Sequence, residues 1–172
     1  NALAAIALGR AAGIALSPML NALKHFKGLA HRSAFVRELN EVTWINDSKG
    51  TNVGATLAAI TGFASPDQKK LILLAGGQGK GADFSPLTDA VKAHVRELVV
   101  FGEDKALIQH ALKDATSIST VNTLENAIQI ALTLAKPGDT VLFSPACASF
   151  DQFPNFEKRG EAFVDLVDQL SR

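Results

Sequence analysis

Cysteine is nearly absent from this chain. Cys147 is the single one among 172 residues, so no internal disulfide can form, and the count fits a reducing compartment. Charge of either sign is not in excess: Lys+Arg and Asp+Glu both number 17. No global basic field exists to hold nucleic acid or an anionic membrane, and any anion must be bound by local geometry. No apolar run approaches the roughly 20 residues a membrane span requires. Asn1 to Ala15 are apolar and small, but no basic segment precedes them as in a signal peptide. The four histidines, His25, His31, His94 and His110, show no metal-ligand spacing. Internal repeats and low-complexity segments are also missing.

What is present reads as an ordinary globular chain, 47% hydrophobic and 20% charged. Its length suffices for one domain with a proper core plus an appendage. It begins with Asn in full helical pattern, which is expected of a piece cut from a longer protein. Ala2 to Ala12 has high helix propensity and little polar face. Ser17-Pro18 then reads as an N-cap with Pro at the first helical position, opening a short helix over Met19 to Phe26. No strand separates these helices, so residues 1–30 are expected to close a preceding domain. Gly28 to His31 would be the linker, and residues 31–172 a second domain.

Beyond the linker the texture changes. Ala34 to Leu39 and Val42 to Ile45 predict a hairpin around Asn40-Glu41. Continuous or short apolar runs at Lys70 to Ala75, Glu97 to Phe101, Ser117 to Val121 and Thr140 to Phe143 predict strands, the first fully buried. Between them fall helical patterns at Ala55 to Phe63, from Ser85-Pro86 to about His94, and from Asp104 to Lys113. Leu124, Ala127, Ile128, Ala131 and Leu132 lie at i, i+3, i+4, i+7 and i+8, with Asn122 and Glu125 resembling a capping box and Pro137-Gly138 as the stop. A last helix carries Phe156, Phe163, Val167 and Leu170 on one face. Strands alternating with helices predict an α/β fold with a Rossmann-like, doubly wound, mainly parallel sheet.

Three loops after strands could carry chemistry, because ligands of such sheets gather at the carboxyl ends of the strands. Asn46 to Asn52 packs a carboxylate, an ammonium and several hydroxyl or amide groups at a helix start, where free N–H groups favour an anion. Asp47 could accept from a ribose hydroxyl and Lys49 could pair with phosphate or carboxylate. The plainer alternative is a solvated loop with Thr51 or Asn52 as N-cap. Gly76 to Gly81 is glycine-rich but fails the phosphate-loop pattern, with Leu74 at the first glycine position and Gly81 in place of the hydroxyl. The dinucleotide pattern fails as well, so Lys80 reads as a single cation offered to an anion, or as a surface lysine on a turn. Ser144 to Phe156 offers Ser144 and Ser149 as donors to a carboxylate. Phe150, Phe153 and Phe156 either wall a pocket or belong to the core. Cys147 reads as a buried small hydrophobe rather than a nucleophile. Arg32 could stack on or pair with a ligand, or form a domain-boundary salt bridge.

Taken together, these strings resemble the Mur ligase family. The resemblance rests on Asn1-Ala2-Leu3-Ala4-Ala5, His31-Arg32, Trp44 to Asn52, Gly76 to Lys80 with Ala82-Asp83-Phe84-Ser85, and Ser144 to Gly160. They span the chain in the family's order, and the last is similar to the branch that adds D-glutamate. The resemblance implies a cytoplasmic, monomeric, ATP-dependent ligase of three domains. These would bind UDP-N-acetylmuramoyl-L-alanine, ATP and the amino acid, and work through an acyl phosphate in peptidoglycan synthesis. It implies nucleotide contacts at Asn1, Arg32 and Asp47, D-glutamate contacts at Thr51, Lys80, Ser149 and Phe156, and charge neutralisation by Lys49 in catalysis. The family's phosphate loop and Mg2+ ligands would lie upstream, so the chain alone is expected to be inactive. Gly50 departs from the family pattern, where Ala is expected, and should only loosen the loop. The rival readings are a dinucleotide-binding oxidoreductase domain, which the missing glycine fingerprint disfavours, a non-catalytic small-anion module, and a folate–glutamate ligase of the same superfamily.

Overall fold

A computed structural model describes residues 2–26, 28–65, 68 and 70–171. Helices α1 (Ala2–Ala11) and α2 (Leu16–His25) come first, and neither contains a buried residue. The second starts two residues earlier than Ser17-Pro18 suggests. Ala15 occupies the cap position without a side-chain bond, and Pro18 falls in the first turn, where its missing N–H leaves no intrahelical bond unmade.

The rest is a six-stranded sheet with helices on both faces. Strand β1 (Ala34–Leu39) pairs antiparallel with β2 (Val42–Asn46) through Asn40 and Glu41, both at positive φ (55° and 61°). Two such residues give the turn the twist a two-residue hairpin needs. Next come α3 (Val53–Gly62), β3 (Leu71–Gly76), a 3-10 turn (Ser85–Leu87) with α4 (Thr88–His94), β4 (Val95–Phe101), α5 (Lys105–Leu112), β5 (Ser117–Thr120), α6 (Leu124–Leu134), β6 (Thr140–Phe143) and α7 (Phe156–Asp168). The spatial order is β1-β2-β6-β3-β4-β5, with every pair after the hairpin parallel. Chain order and spatial order diverge at β6, which enters between β2 and β3.

Strand alternation builds two cores. Leu71, Leu73 and Ala75 face α3, α4 and α5, where Ile60, Val91, Ile108 and Leu112 are buried. Ile72 and Leu74 face α6 and α7, packing with Ala127, Ile128, Phe163 and Val167. The loops after β2 and β3 therefore leave toward one face and the loop after β6 toward the other. That divergence opens a crevice at the carboxyl ends of the strands.

Three predicted caps are reassigned or refined. Thr123, not Asn122, caps α6 by accepting from the Asn126 amide. The Asn122 side-chain oxygen instead accepts from Lys105 Nζ. Asp83 caps the Ser85 turn, its carboxylate accepting from both the amide and the hydroxyl of Ser85. Of the two candidates for α3, Asn52 holds the cap by accepting from Ala55 N–H. No helix among the described residues is long and apolar enough to cross a membrane.

Phe163 is fully buried, stacked at 4.7 Å on Phe143 and tilted against Trp44 at 6.3 Å. Phe163→Ala should cost about 3–5 kcal/mol of unfolding free energy. Asn155→Ala, which removes only the α7 cap bond to Lys158 N–H, should cost about 1 kcal/mol. Urea titration followed by the fluorescence of Trp44 measures both.

Candidate functional site

The site grows from the end of β2. Asn46 is buried; its amide donates to the Gly160 carbonyl at 3.0 Å and meets His31 Nδ1 at 3.1 Å, and its oxygen accepts from Ser48 N–H. His31 therefore belongs to this domain rather than to a free linker, and its ring packs edge-on to Phe156. Asp47, next in sequence, accepts from Ser33 N–H at 3.0 Å and from the Ser144 hydroxyl at 2.7 Å. Burial pushes its carboxyl above the usual range, opposed by the hydrogen bonds from Ser144 and Ser33 and by the charge of Arg32.

Gly50 closes this cluster. A Cβ there would lie 2.6 Å from both Asp47 Oδ2 and Ser144 Oγ. The expectation that Gly at this position merely loosens the loop is thus corrected: the Asp47–Ser144 bond occupies the space a methyl group would need. The Gly50 carbonyl in turn accepts from Ala146 N–H, joining the loops after β2 and β6.

Arg159 was not singled out by sequence reasoning. It sits in the first turn of α7, 1% exposed. Its Nε donates to the Ser48 hydroxyl at 3.1 Å, and Nη2 donates to the carbonyls of Ser48 at 2.9 Å and Cys147 at 3.1 Å. Nη1 has no hydrogen-bond partner among the described residues. Desolvation lowers the guanidinium to about 10, so it stays charged near neutral pH. The available signal was helical phase: Arg159 falls at i+3 from Phe156 and i−4 from Phe163, on the face that should be apolar.

The loop after β3 is held by backbone. Gln78 and Ala148 exchange two hydrogen bonds, of 3.0 and 2.9 Å. Gly77, at φ 124°, stands where a side chain would strike the Ala148 carbonyl, so it serves close chain approach. Lys80 comes next with φ 53°, exposed, its Nζ 4.9 Å from the centre of the Phe150 ring. Ser149 is buried and Phe150 is 60% exposed. Phe153 packs on the α6–α7 core, which is its plainer role.

The expected site residues fall into two groups. Arg32, Asp47 and Lys49 line a cleft of about 510 Å³ whose far wall is Ala55, Ala58 and Gly62 of α3. Arg32, Lys49 and Phe156 line an adjoining cleft of about 360 Å³, and Lys49 Nζ lies 4.5 Å from the Phe156 ring centre. Lys80 and Ser149 form the second group, on the loops joined by the Gln78–Ala148 bridge. Thr51 precedes the α3 cap and lines neither cleft. Asn1 lies outside the described residues. The wall of small residues beside Arg32 and Asp47 fits a flat base with ribose hydroxyls. No group of three His, Cys, Asp or Glu side chains that could hold a metal ion lies among the described residues.

Two outcomes are expected. Burial pushes the Cys147 thiol up to about 12, so thiol reagents at about pH 8 should label it only after denaturant is added; labelling of the folded chain at the free-thiol rate contradicts this. Asp47 carries a raised folded value, so the folded state takes up its proton first. Relative to Asp47→Asn, the unmodified chain should gain stability as pH falls through that raised value, with the gain complete below 3.8. Urea midpoints of both proteins across this range test the sign.

The chain is 51% identical over 170 residues to the UDP-N-acetylmuramoylalanine–D-glutamate ligase of Coxiella burnetii (strain Dugway 5J108-111), covering 99% of this chain and 38% of that protein. To the protein of the same name from Legionella pneumophila (strain Lens) it is 53% identical, with the same coverage. To that from Chromohalobacter salexigens it is 55% identical over 163 residues, covering 95% of the chain and 36% of the relative. The chain thus spans well under half the length of these relatives. Among solved structures, UDP-N-acetylmuramate–alanine ligase from Thermotoga maritima superposes with a TM-score of 0.69 at 20% identity, over 97% of this chain and 36% of that one. MurF ligase from the same organism, solved with ADP, gives 0.64 at 17%, over 95% and 37%; both establish the fold alone. The family model described as Mur ligase, glutamate ligase domain, matches residues 31–147, the span that supplies the sheet, the loops after β2 and β3 and the start of the loop after β6, and the chain belongs to that family.

Proposed function

We propose that this chain is the amino-acid-delivering arm of an ATP-dependent ligase that joins D-glutamate to UDP-N-acetylmuramoyl-L-alanine in peptidoglycan synthesis. The observation that carries the reading is the identity of 51–55% with proteins named for that reaction, falling on a chain whose three strand-end loops are knit together by hydrogen bonds. In this reading residues 1–30 close the nucleotide-binding domain and residues 31–172 form the arm. The unburied faces of α1 and α2 support that division. The enzyme would be a cytoplasmic monomer.

The carboxylate of the UDP-sugar substrate would accept the terminal phosphoryl group of ATP. The D-glutamate amine would attack the acyl carbon, the tetrahedral intermediate would lose phosphate, and an amide would remain. The work of the protein is then to orient two anionic partners and to stabilise growing negative charge. Asp47 is set to accept from a ribose hydroxyl, with Arg32 beside it to pair or stack. Lys49, in both clefts, would neutralise phosphate or carboxylate charge. Lys80, Ser149, Thr51 and Phe156 would hold D-glutamate, with Arg159 fixing Ser48 and Cys147 beneath them.

A ligase in which this chain replaces the matching part of the Legionella protein tests the reading. It should use D-glutamate and not L-glutamate, which separates it from a folate–glutamate ligase. In it, Lys80→Ala should raise the KM for D-glutamate by about 10- to 100-fold and lower turnover, leaving the KM for ATP near its starting value. Ser149→Ala should act in the same direction more weakly. Unchanged kinetics in Lys80→Ala would remove that residue from the site.

A further inference from the structure

Among the described residues the ion pairs are Arg96–Glu97, Arg96–Asp139 and Lys158–Glu161. Neither Lys49 nor Lys80 enters one. Acids along the Lys80 loop and its supports are engaged by other groups, Glu103 by the Gln78 side-chain amide and three more by backbone amides. Asp104 accepts from Gly79 N–H at 2.7 Å, Asp151 from Glu103 N–H at 3.0 Å, and Asp83 from Ser85 N–H at 2.9 Å. Each lysine stands instead over the face of a phenylalanine, Lys49 on Phe156 at 4.5 Å and Lys80 on Phe150 at 4.9 Å. Phe150 comes from the segment between β6 and α7, and Phe156 opens α7. Phe156 also packs against His31. Phe150 has no such second use: it belongs to neither core and is 60% exposed.

We propose that Phe150 is a positioning residue for Lys80, its exposed ring holding the ammonium over the Ser149 turn while leaving the charge free for an anionic ligand. Given the function proposed above, on which this inference rests, that ligand is a carboxylate of D-glutamate. The local geometry is built for the contact. Gln78 and Ala148 are bonded to each other in both directions, and Lys80 and Phe150 each come two residues later. Lys80 is held in the left-handed region at φ 53° between Gly79 and Gly81, a conformation non-glycine residues adopt at a cost. A ring face attracts a cation through its quadrupole without cancelling the charge. A carboxylate partner would hold the lysine equally well but would have to be displaced by the substrate. Holding the long side chain before the ligand arrives also removes part of the ordering cost of binding.

The test is NMR of the isotopically labelled 172-residue chain, compared with Phe150→Leu and Phe150→Trp. A lysine above a ring face carries an upfield ring-current shift on its ε-methylene protons. That shift should be present at Lys80, lost in Phe150→Leu and kept in Phe150→Trp. Titration with D-glutamate should show binding about threefold weaker in Phe150→Leu and undiminished in Phe150→Trp. No upfield shift at Lys80 in the unmodified chain overturns the contact. A shift that is present, with D-glutamate binding unaffected by Phe150→Leu, overturns the positioning role. If D-glutamate perturbs no resonance of the unmodified chain, the ligand reading fails instead, and the ring-current shift and its loss in Phe150→Leu still decide whether Phe150 holds Lys80.

Discussion

Strand β6 and the loop that leaves it hold the functional end of the molecule together. Inserted between β2 and β3, β6 sends its chain toward one face of the sheet while its two neighbours send theirs toward the other. Backbone hydrogen bonds then tie the loops together across the divide. Asp47 N–H donates to the Phe143 carbonyl, Ala146 N–H to the Gly50 carbonyl, Gly76 N–H to the Pro145 carbonyl, and Gln78 and Ala148 pair in both directions. Such bonds depend on chain path more than on side-chain choice. Small residues at Gly50, Gly77 and Ala146 are the sequence's concession to that path.

Electrostatics at the crevice depend on which groups are already satisfied. The chain has no net charge, yet Arg32 and Lys49 line the clefts beside the loop after β2, the smaller of which also holds Glu157 and Glu161, while Lys80 lies apart on the loop after β3. Asp47 accepts from Ser33 and Ser144, and Asp104 and Asp151 accept from backbone amides. Arg159 is buried with no carboxylate in ion-pair contact among the described residues and carries its charge on hydroxyl and carbonyl oxygens. Such an arrangement is costly in an apolar interior, but it suits a site that receives anions.

Much of this was legible in the sequence where the signal is periodic. The run over Lys70 to Ala75, the spacing of Leu124 to Leu132 and the Asn40-Glu41 hairpin all appear as read, because burial and turn conformation impose a short-range pattern. Caps were less legible. Asn122, Ser17 and Ser85 all have the right chemistry, but the Asn122 side chain is claimed by Lys105, and neighbours decide which candidate takes the bond. Arg159 was overlooked because a charged residue in an amphipathic helix ordinarily marks the solvent face.

From its sequence alone, the chain determined the α/β class, the positions of the three strand-end loops and the family resemblance that names D-glutamate. Each of these is written in local spacing or in a contiguous string. Only the tertiary structure decided that β6 lies between β2 and β3, that Gly50 makes room for the Asp47–Ser144 bond, that Arg159 is turned inward, and that Lys80 rests on Phe150. Each of those four facts joins residues far apart in the chain, and no local pattern encodes which distant groups will satisfy one another's hydrogen bonds and charges.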